Sequence, residues 1–451
     1  MRIAMLSWES QHSILAGGVG VHVSEISDAL QQLGHEVHVF TRRGPNQSVH
    51  GFGDRVNYHR CDYAPQPDFV DDINSMCRAF VERVLRISDL LGPFDVIHAH
   101  DWLTANAMIW ITQARGWPSI LTIHSTEYAR CGNALPQNST SDRIRYQEWA
   151  GLDWADHVIA VSAAVKHELI EIYRTPADKI AIVHNGVHAD RFSTNTDPVD
   201  TKRRNGIQGA APVVLFCGRL SFHKGADLLL QAIPPLLRFY PDARVAFVGD
   251  GEMRSRLESD SRLWGIDHAV HFLGYRHGRE LPELYGMADV VCVPSRNEPF
   301  GIVVLEAWSA SKPLVVTQIG GPAEYVRHNV TGLHVYPHPD SIGWGLGTVF
   351  HDWATAQQMG RNGRRVAESL FTWDTIARRT QAVYASAAGI VKSPPVSPDL
   401  PKVASALPQL HLVIHRPHHS QSSPQSNECG TRQSIKETEH VSTHGSIESN
   451  F

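Results

Sequence analysis

Short apolar runs alternate with helical segments along most of the chain, and this alternation restricts the fold more than any other feature. In the first half, the runs that predict strands are residues 3–6, 37–40, 95–100, 120–124, 157–162 and 180–187. In the second half, the corresponding runs are residues 213–217, 244–248, 270–273, 288–293 and 313–317. Alternating strands and helices are typical of a parallel, doubly wound sheet. The sequence therefore predicts an α/β fold.

The alternation lapses once, in a polar and turn-rich interval. Residues 191–211 lack apolar periodicity and include the run STNTDP at 193–198, which favours a linker. We therefore expect one Rossmann-like domain over residues 1–190 and another over residues 212–371. Polar residues follow the strands of both series at their carboxyl ends, where open α/β sheets bind ligands. The sequence thus predicts a ligand site in a cleft between two domains.

Composition narrows the class of protein. Residues 390–451 are rich in Ser, Pro, His, Gln and Asn, which predicts a disordered tail, and the tail histidines lack zinc-finger spacing. The net charge is −5 and no long basic run occurs, so nucleic-acid binding is disfavoured. No apolar run approaches the ~18 residues of a membrane span. With six cysteines and no Cys-x-x-Cys pair, the chain is expected to be cytoplasmic, with at most peripheral membrane contact.

A short loop after the first strand of the second series carries two cations. Residues 218–225 read GRLSFHKG, and a predicted helix begins at the last glycine. Phosphate oxygens need charge-assisted donors, and a helix N-terminus adds free N–H groups. Arg219 and Lys224 therefore predict a diphosphate site, and a pair of ordinary surface cations is the alternative.

A second loop offers carboxylates to the same crevice. Residues 289–310 read DVVCVPSRNEPFGIVVLEAWSA, which predicts a buried strand, a polar loop and a helix over residues 298–309. Glu298 then lies at the carboxyl end of a strand and Glu306 on the second turn of the helix. Two surface glutamates on an ordinary βα unit are the alternative. The nearby run GGPAE at 320–324 predicts either a border of the crevice or a plain tight turn.

A glycine turn follows the first strand of the chain. Residues 17–20 read GGVG, but the third glycine of a dinucleotide-binding fingerprint is missing. The second strand ends in Arg42-Arg43, without the acidic residue that binds a ribose. An NADP-dependent enzyme is therefore disfavoured. The turn still allows backbone amides to approach an anion closely.

Histidines end two strands of the first series. His124 predicts a hydrogen-bond donor to a sugar hydroxyl or phosphate, with a packed strand-end histidine as the alternative. His98, His100 and Asp101 raise the possibility of a metal site. Alternate residues of a strand point to opposite faces, so Asp101 faces away from the two histidines and a metal is disfavoured. The chain also lacks the Asp-x-Asp motif that holds a divalent metal on a nucleotide diphosphate.

The cation loop and the glutamate loop together resemble the retaining glycosyltransferases of family 4. That family's signature includes two glutamates separated by seven residues, as in Glu298 and Glu306. The resemblance covers residues 1–388 and implies the GT-B fold, with two Rossmann-like, doubly wound parallel-sheet domains that face each other across a cleft. It also implies a helix over residues 372–389 that crosses back to the first domain.

The resemblance also implies roles for individual residues. The implied catalytic residues are Arg219, Lys224, Glu298 and His124. The implied substrate-binding residues are Gly18, Asp101, Gly274, Phe300, Gly301, Ile302 and Glu306. Arg219 and Lys224 would bind the diphosphate, Glu298 the hexose and Glu306 the ribose. The donor is a nucleoside-diphosphate sugar, and no cofactor or metal is expected.

The implied reaction is transfer of a hexose, expected to be glucose, to a hydroxyl of an acceptor such as an α-glucan. Trp8-Glu9, HDW at 100–102 and TIH at 122–124 are most similar to glycogen-synthase-type enzymes. Leu15 replaces the lysine of the bacterial Lys-x-Gly-Gly motif, which leaves the nucleotide and the acceptor open. A nucleotide-sugar epimerase and a non-catalytic sugar-nucleotide sensor are the alternatives. The sequence does not indicate the oligomeric state.

Overall fold

The computed structural model of the protein describes residues 1–15, 17–52 and 56–390. The predicted disordered tail, residues 390–451, lies outside the described residues except for Ile390. The described residues belong to one compact unit that holds two parallel-strand sheets, one after the other along the chain. This architecture confirms the predicted fold class.

The first sheet and its helices come from the first half of the chain. Its strands are β1 (Arg2–Leu6), β2 (Glu36–Arg42), β3 (His50–Phe52), β4 (Asn57–Cys61), β5 (Val96–His100), β6 (Ser119–Ile123), β7 (His157–Ala160) and β8 (Ile180–Ile182). The helices are α1 (Gly18–Gln32), α2 (Phe69–Leu91), α3 (Trp102–Arg115), α4 (Glu127–Arg130), α5 (Ser139–Trp154) and α6 (Ala163–Glu171). The strand order is β3-β4-β2-β1-β5-β6-β7-β8, and β3 pairs antiparallel with β4. The order reverses between β1 and β5, which makes this the switch point of the sheet.

The second sheet follows the same plan. Its strands are β9 (Val213–Cys217), β10 (Arg244–Val248), β11 (Val270–Gly274), β12 (Val290–Val293), β13 (Leu314–Thr317) and β14 (Leu333–Val335). The helices are α7 (Pro198–Arg204), α8 (Ala226–Phe239), α9 (Arg254–Leu263), α10 (Glu280–Met287), α11 (Ile302–Ser309), α12 (Pro322–Tyr325), α13 (Pro339–His351), α14 (Trp353–Leu370) and α15 (Trp373–Ala387). The order β11-β10-β9-β12-β13-β14 reverses between β9 and β12. The loops that follow these two strands are the cation loop and the glutamate loop.

The central strands are buried on both faces because helices cover each sheet. All residues of β12 and β13 are buried, as expected for parallel strands rich in valine. The longest helix described, α2, has 23 residues and a strongly amphipathic pattern that includes Asp71 and Asp72 in its first turn. Within the described residues, no helix is both long and apolar enough to cross a membrane.

Two helices lack the regular apolar stripe from which helices are predicted. Helix α7 occupies part of the predicted linker, and its buried Lys202 bonds to the Asp289 carboxylate at 3.0 Å and to the Ala211 carbonyl at 2.8 Å. Helix α5 buries polar groups, including Glu148, instead of a continuous apolar stripe. Periodicity of apolar residues therefore does not reveal either helix.

Two helix boundaries also differ from the expectation, and both concern glycines near the predicted site. Helix α1 begins at Gly18, so the glycine turn lies partly within its first turn. Helix α11 begins at Ile302 and not at residue 298, because Gly301 precedes it with a φ of 88°. Glu298 therefore lies in the loop before the helix, and the helix geometry does not fix the direction of its side chain.

The last described helix, α15, packs on the first half of the molecule. It lies against α1, and its Trp373 and Tyr384 are buried in the same apolar cluster as β1. The Tyr384 hydroxyl lies 2.7 Å from Nδ1 of His98 on β5. The end of the described chain thus contributes to the core of the first sheet's half.

Candidate active site

The cation loop and the glutamate loop pack against each other at the switch point of the second sheet. Gly225 has a φ of 70°, and a Cβ there would lie 2.1 Å from the Pro294 carbonyl oxygen. The Arg296 backbone N–H donates to the His223 carbonyl at 2.8 Å, and its guanidinium makes two bonds of 2.7 Å to Asp227. The two loops therefore form one packed unit.

A lysine from one loop and a glutamate from the other make direct contact. Lys224 Nζ donates to both carboxylate oxygens of Glu298, at 3.0 and 2.8 Å. The Ser295 hydroxyl donates to Oε2 of the same carboxylate at 3.1 Å. Glu298 is only 5% exposed, so its charge depends on these partners. The sequence predicts both residues at the crevice, and the structure joins them in an ion pair.

Arg219 is placed differently, although it lies on the same loop as Lys224. Its side chain is exposed, and it forms no ion pair with any carboxylate of the described residues. Its guanidinium is therefore available to an anion in the crevice. A planar guanidinium with five N–H groups matches phosphate oxygens well.

Glu306 lies on the second turn of α11 and is held by a tyrosine. The buried Tyr285 hydroxyl donates to Glu306 Oε2 at 2.6 Å. Burial raises the pKa of Glu306, while the tyrosine hydrogen bond acts in the opposite direction. One carboxylate oxygen is thus occupied by the protein.

The two halves of the chain meet at the N-termini of α1 and α11, each of which has a glycine at or just before its first residue. A Cβ on Gly18 would lie 3.4 Å from Cδ1 of Ile302, so the first turns of α1 and α11 are close across the cleft. Phe300 is buried between Tyr325 and His184, with ring centroids 5.4 and 5.8 Å away. Its side chain is therefore part of the core, and a substrate contact by this residue stays a prediction.

Gly274 lies at the end of β11, where the resemblance expects contact with the base. Its φ is 72°, and its carbonyl accepts a hydrogen bond from the Gly249 N–H at 2.9 Å. The side chain of the next residue, Tyr275, is 56% exposed. The backbone at this position is thus engaged within the sheet, and the base contact stays a prediction.

Asp101 and His124 are neighbours at the carboxyl ends of β5 and β6. Asp101 is buried with a φ of 56°, and its carboxylate accepts the His124 backbone N–H at 2.7 Å. Burial raises the pKa of Asp101 to about 6, and the nearby Arg130 acts against that shift. Burial also lowers the pKa of His124 to about 3. Asp101 thus holds the loop that carries the His124 ring, and substrate contact by either residue stays a prediction.

Contacts between the two halves pair residues that the sequence does not connect. Glu324 on α12 accepts the Ala164 N–H at the start of α6 at 2.7 Å, and it lies 3.7 Å from Nε2 of His184. The Asn297 side-chain amide donates to Asn133 Oδ1. Each pair is about 160 residues apart in sequence. No local pattern connects such partners.

The glycine-rich loop at residues 320–324 borders the glutamate loop. Gly320 has a φ of 67°, and a Cβ there would lie 2.1 Å from the Glu298 carbonyl oxygen. The Gly321 N–H donates to the same oxygen at 2.9 Å. Of the two expectations for this loop, the contact with Glu298 favours a border of the crevice.

We expect Gly320→Ala to destabilise the protein by about 1–3 kcal/mol, because the new methyl group meets backbone at a left-handed φ. The matched control is Gly347→Ala on α13, where nothing lies within 4 Å of the added Cβ. That change is expected to stabilise by about 0.5–1 kcal/mol, as alanine does in a helix. Thermal unfolding measures the stability of both variants. Equal unfolding midpoints would contradict the close contact between Gly320 and the Glu298 carbonyl.

Comparison with known proteins assigns the chain to a family. A model of Glycosyltransferase Family 4 matches residues 16–191, and a model of Glycosyl transferases group 1 matches residues 199–366. An uncharacterized glycosyltransferase of Methanocaldococcus jannaschii is 35% identical over 393 residues, which cover 85% of this chain and 98% of that protein. The chain belongs to the group 1 glycosyltransferases of family 4. The family resemblance found in the sequence is thereby confirmed.

Further similarities place this group 1 glycosyltransferase among proteins of related fold. The glycogen synthase of Mycobacterium tuberculosis is 32% identical over 424 residues, with 90% of this chain and all of that protein covered. The crystal structure of Anabaena HepE in complex with UDP-glucose superposes with a TM-score of 0.69 at 21% identity, covering 86% of this chain and 100% of that one. The structural match supports the GT-B fold of this glycosyltransferase.

Proposed function

We propose that this glycosyltransferase moves a hexose, expected to be glucose, from a nucleoside diphosphate to a hydroxyl of an α-glucan or related glycan. The observation that carries the proposal is the meeting of Lys224 and Glu298 at the switch point of the second sheet. Arg219 lies exposed on the same loop as Lys224, and Glu306 lies on α11, the helix that follows Glu298. Cations for a diphosphate and carboxylates for sugar hydroxyls thus share one crevice.

Each group has a distinct part in donor binding. Arg219 and Lys224 neutralise the diphosphate, assisted by the N-terminus of α11. Glu306 accepts a ribose hydroxyl through the oxygen that Tyr285 leaves free. Glu298 accepts hydroxyls of the hexose while Lys224 holds it in place. Because Arg219 and Lys224 provide the charge and the chain has no Asp-x-Asp motif, we propose that donor binding needs no divalent metal.

We propose retention of configuration at the anomeric carbon. Both oxygens of Glu298 are engaged by Lys224, and one also by Ser295, so this carboxylate is a hydrogen-bonding group and a poor nucleophile. The bond from the anomeric carbon to the phosphate oxygen breaks, and a bond to the acceptor oxygen forms on the same face. The acceptor proton passes to the leaving phosphate oxygen. Arg219 and Lys224 stabilise the negative charge on that leaving group.

Relatives inform the choice of substrates. One relative is named a glycogen synthase, and one structural neighbour was crystallised with UDP-glucose. Both names support a glucose nucleotide as donor, and the first supports a glucan as acceptor. We therefore place UDP-glucose, ADP-glucose and α-glucans first among the substrates to test.

We place the enzyme in the cytoplasm. The cysteines of the described residues, Cys61, Cys77, Cys131, Cys217 and Cys292, form no disulfide. Burial raises the pKa of Cys77 and Cys217 to about 12, which keeps these thiols protonated and unreactive. Unpaired thiols fit a reducing compartment.

The test is incubation of the full chain with UDP-, ADP- and GDP-hexoses, each with glycogen, maltooligosaccharides or a polyol phosphate. We expect release of nucleoside diphosphate that depends on one donor and increases with one acceptor. Proton NMR of the early product reports the anomeric configuration, which we expect to match that of the donor. Addition of a chelator is expected to leave the rate unchanged.

Three results would overturn the proposal. An inverted anomeric centre would exclude retention. Conversion of the donor to a different sugar nucleotide, without an acceptor product, would identify an epimerase. Tight donor binding with neither hydrolysis nor transfer across the panel would identify a sensor.

A further inference from the structure

Three histidines from separate elements converge at the carboxyl-terminal ends of the strands in the first sheet. His22 comes from α1, His100 ends β5, and His124 follows β6. One ring nitrogen from each lies within 4.8 Å of the others. Nδ1 of His100 and Nε2 of His124 are 3.1 Å apart, and the His22 and His124 ring centroids are separated by 4.6 Å.

Two of these imidazoles carry nitrogens that the protein does not satisfy. His22 Nδ1 and His100 Nε2 are buried and have no hydrogen-bond partner among the described residues. Buried polar atoms without partners are uncommon, because each loses its hydration without compensation. The neighbouring His98 differs, since its two nitrogens meet the Tyr384 hydroxyl and the Thr122 hydroxyl at 2.7 Å each. Unpartnered histidine nitrogens also occur elsewhere in the described residues, at His184 and His271 for example, so it is the convergence of three rings that distinguishes this site.

We propose that His22, His100 and His124 form a binding site for Zn²⁺ or a similar late transition-metal ion. Nδ1 of His100 and Nε2 of His124 are 3.1 Å apart, close to the roughly 3.3 Å expected for two ligands at ~2.0–2.1 Å in a tetrahedron. The unpartnered nitrogen of His100 is the opposite one, Nε2, and does not belong to this pair. The His22 nitrogen lies within 4.8 Å of the other two ligand atoms, so its ring must move closer to them to bind the same ion. His124 is the one ligand of the three that is partly exposed, and a solvent molecule is the proposed fourth ligand.

The donor set selects the type of metal. The site consists of imidazole nitrogens without a carboxylate, and such ligands favour Zn²⁺, Cu²⁺ or Ni²⁺ over Mg²⁺ or Ca²⁺. The site is therefore distinct from a magnesium site for a nucleotide diphosphate. The other set that the sequence raises and disfavours, His98, His100 and Asp101, does not converge on one ion, because both nitrogens of His98 and the carboxylate of Asp101 bond to other partners.

A metal ion bound at this site is expected to affect sugar transfer, and this expectation rests on the proposed function. His124 is the residue expected to face the donor hexose, and a metal would hold its ring away from that role. We therefore expect Zn²⁺ to inhibit sugar transfer reversibly. Metal binding itself does not depend on the proposed function.

The test uses the untagged full chain, freed of metal by chelation, and Co²⁺ as a spectroscopic probe. We expect one Co²⁺ per chain to give the strong visible absorption of four-coordinate cobalt, and Zn²⁺ to displace it. The chain has 27 histidines, so weak six-coordinate binding elsewhere is expected in every variant and absorbs weakly. Absence of the strong absorption in the wild-type protein would overturn the proposal without any variant.

Substitutions assign the ligands. His22→Gln and His100→Gln should each weaken Co²⁺ binding by ~100-fold, because loss of a ligand costs at least as much as loss of a supporting group. His98→Gln is the matched control, since His98 lies beside the site with both nitrogens engaged, and we expect it to retain the ion. Zn²⁺ should inhibit donor turnover by the wild type and not by His22→Gln. Equal Co²⁺ affinity in the wild type, His22→Gln and His100→Gln would overturn the site.

Discussion

Lys224→Ala is expected to reduce the turnover number for sugar transfer by ~10²–10³, the range seen when one preorganised electrostatic group is removed from a transition state. The physical reason is the loss of the ammonium group that stabilises the leaving diphosphate. The same change leaves the buried Glu298 carboxylate without its cation, so stability should also fall by about 1–3 kcal/mol. Steady-state kinetics and thermal unfolding measure the two effects separately.

A double-variant comparison separates the two roles of Lys224. Glu298→Gln replaces the carboxylate by a neutral amide of similar shape, which no longer needs a cation. If Lys224 serves only to neutralise Glu298, adding Lys224→Ala to Glu298→Gln should cost no further rate. If Lys224 binds the diphosphate, the second change should still cost ~10². We expect the second result, and the first would show that the lysine acts only through Glu298.

The sequence predicts well which loops lie at the carboxyl-terminal ends of the strands, because local patterns determine the strands and the loops that follow them. Valine-rich runs such as those of β12 and β13 are buried on both faces, and polar loops must follow them at the carboxyl ends. Since the carboxyl ends at a switch point are adjacent, Lys224 and Glu298 are expected in one crevice. Their direct ion pair is a further step, because side-chain contacts between loops depend on the packing of Gly225 against Pro294.

Other features require tertiary contacts that no local pattern contains. The buried face of helix α5 includes a charged residue, Glu148. Arg130 and Tyr173, which lie outside α5, bond to its carboxylate. Glu324 is similar, because its partner Ala164 belongs to the opposite half. The histidine site also combines α1, β5 and the loop after β6. Local sequence patterns can place such residues on helices, strands or loops, but they do not show which residues become partners in the folded chain.

Arg219→Ala is expected to lower turnover by ~10² while leaving the free energy of unfolding within about 0.5 kcal/mol of the wild type. The contrast with Lys224 follows from the structure, since Arg219 is exposed and forms no ion pair with a described carboxylate. Its removal therefore breaks no ion pair among the described residues, and its main expected effect is on bound diphosphate. Kinetics, thermal unfolding and calorimetric binding of the nucleoside diphosphate product measure these quantities.

Two further variants make the assignment of Arg219 specific. Arg219→Lys keeps the charge but loses the planar fork, so it should recover only part of the rate. Arg203→Ala removes another arginine, whose side chain is 70% exposed on α7 and whose ion pair within the described residues is with Asp200 at 3.6 Å, and it should leave turnover unchanged. If Arg219→Ala retained full turnover and full affinity for the product diphosphate, the exposed guanidinium would be an ordinary surface charge. Diphosphate neutralisation would then depend on Lys224 and the N-terminus of α11.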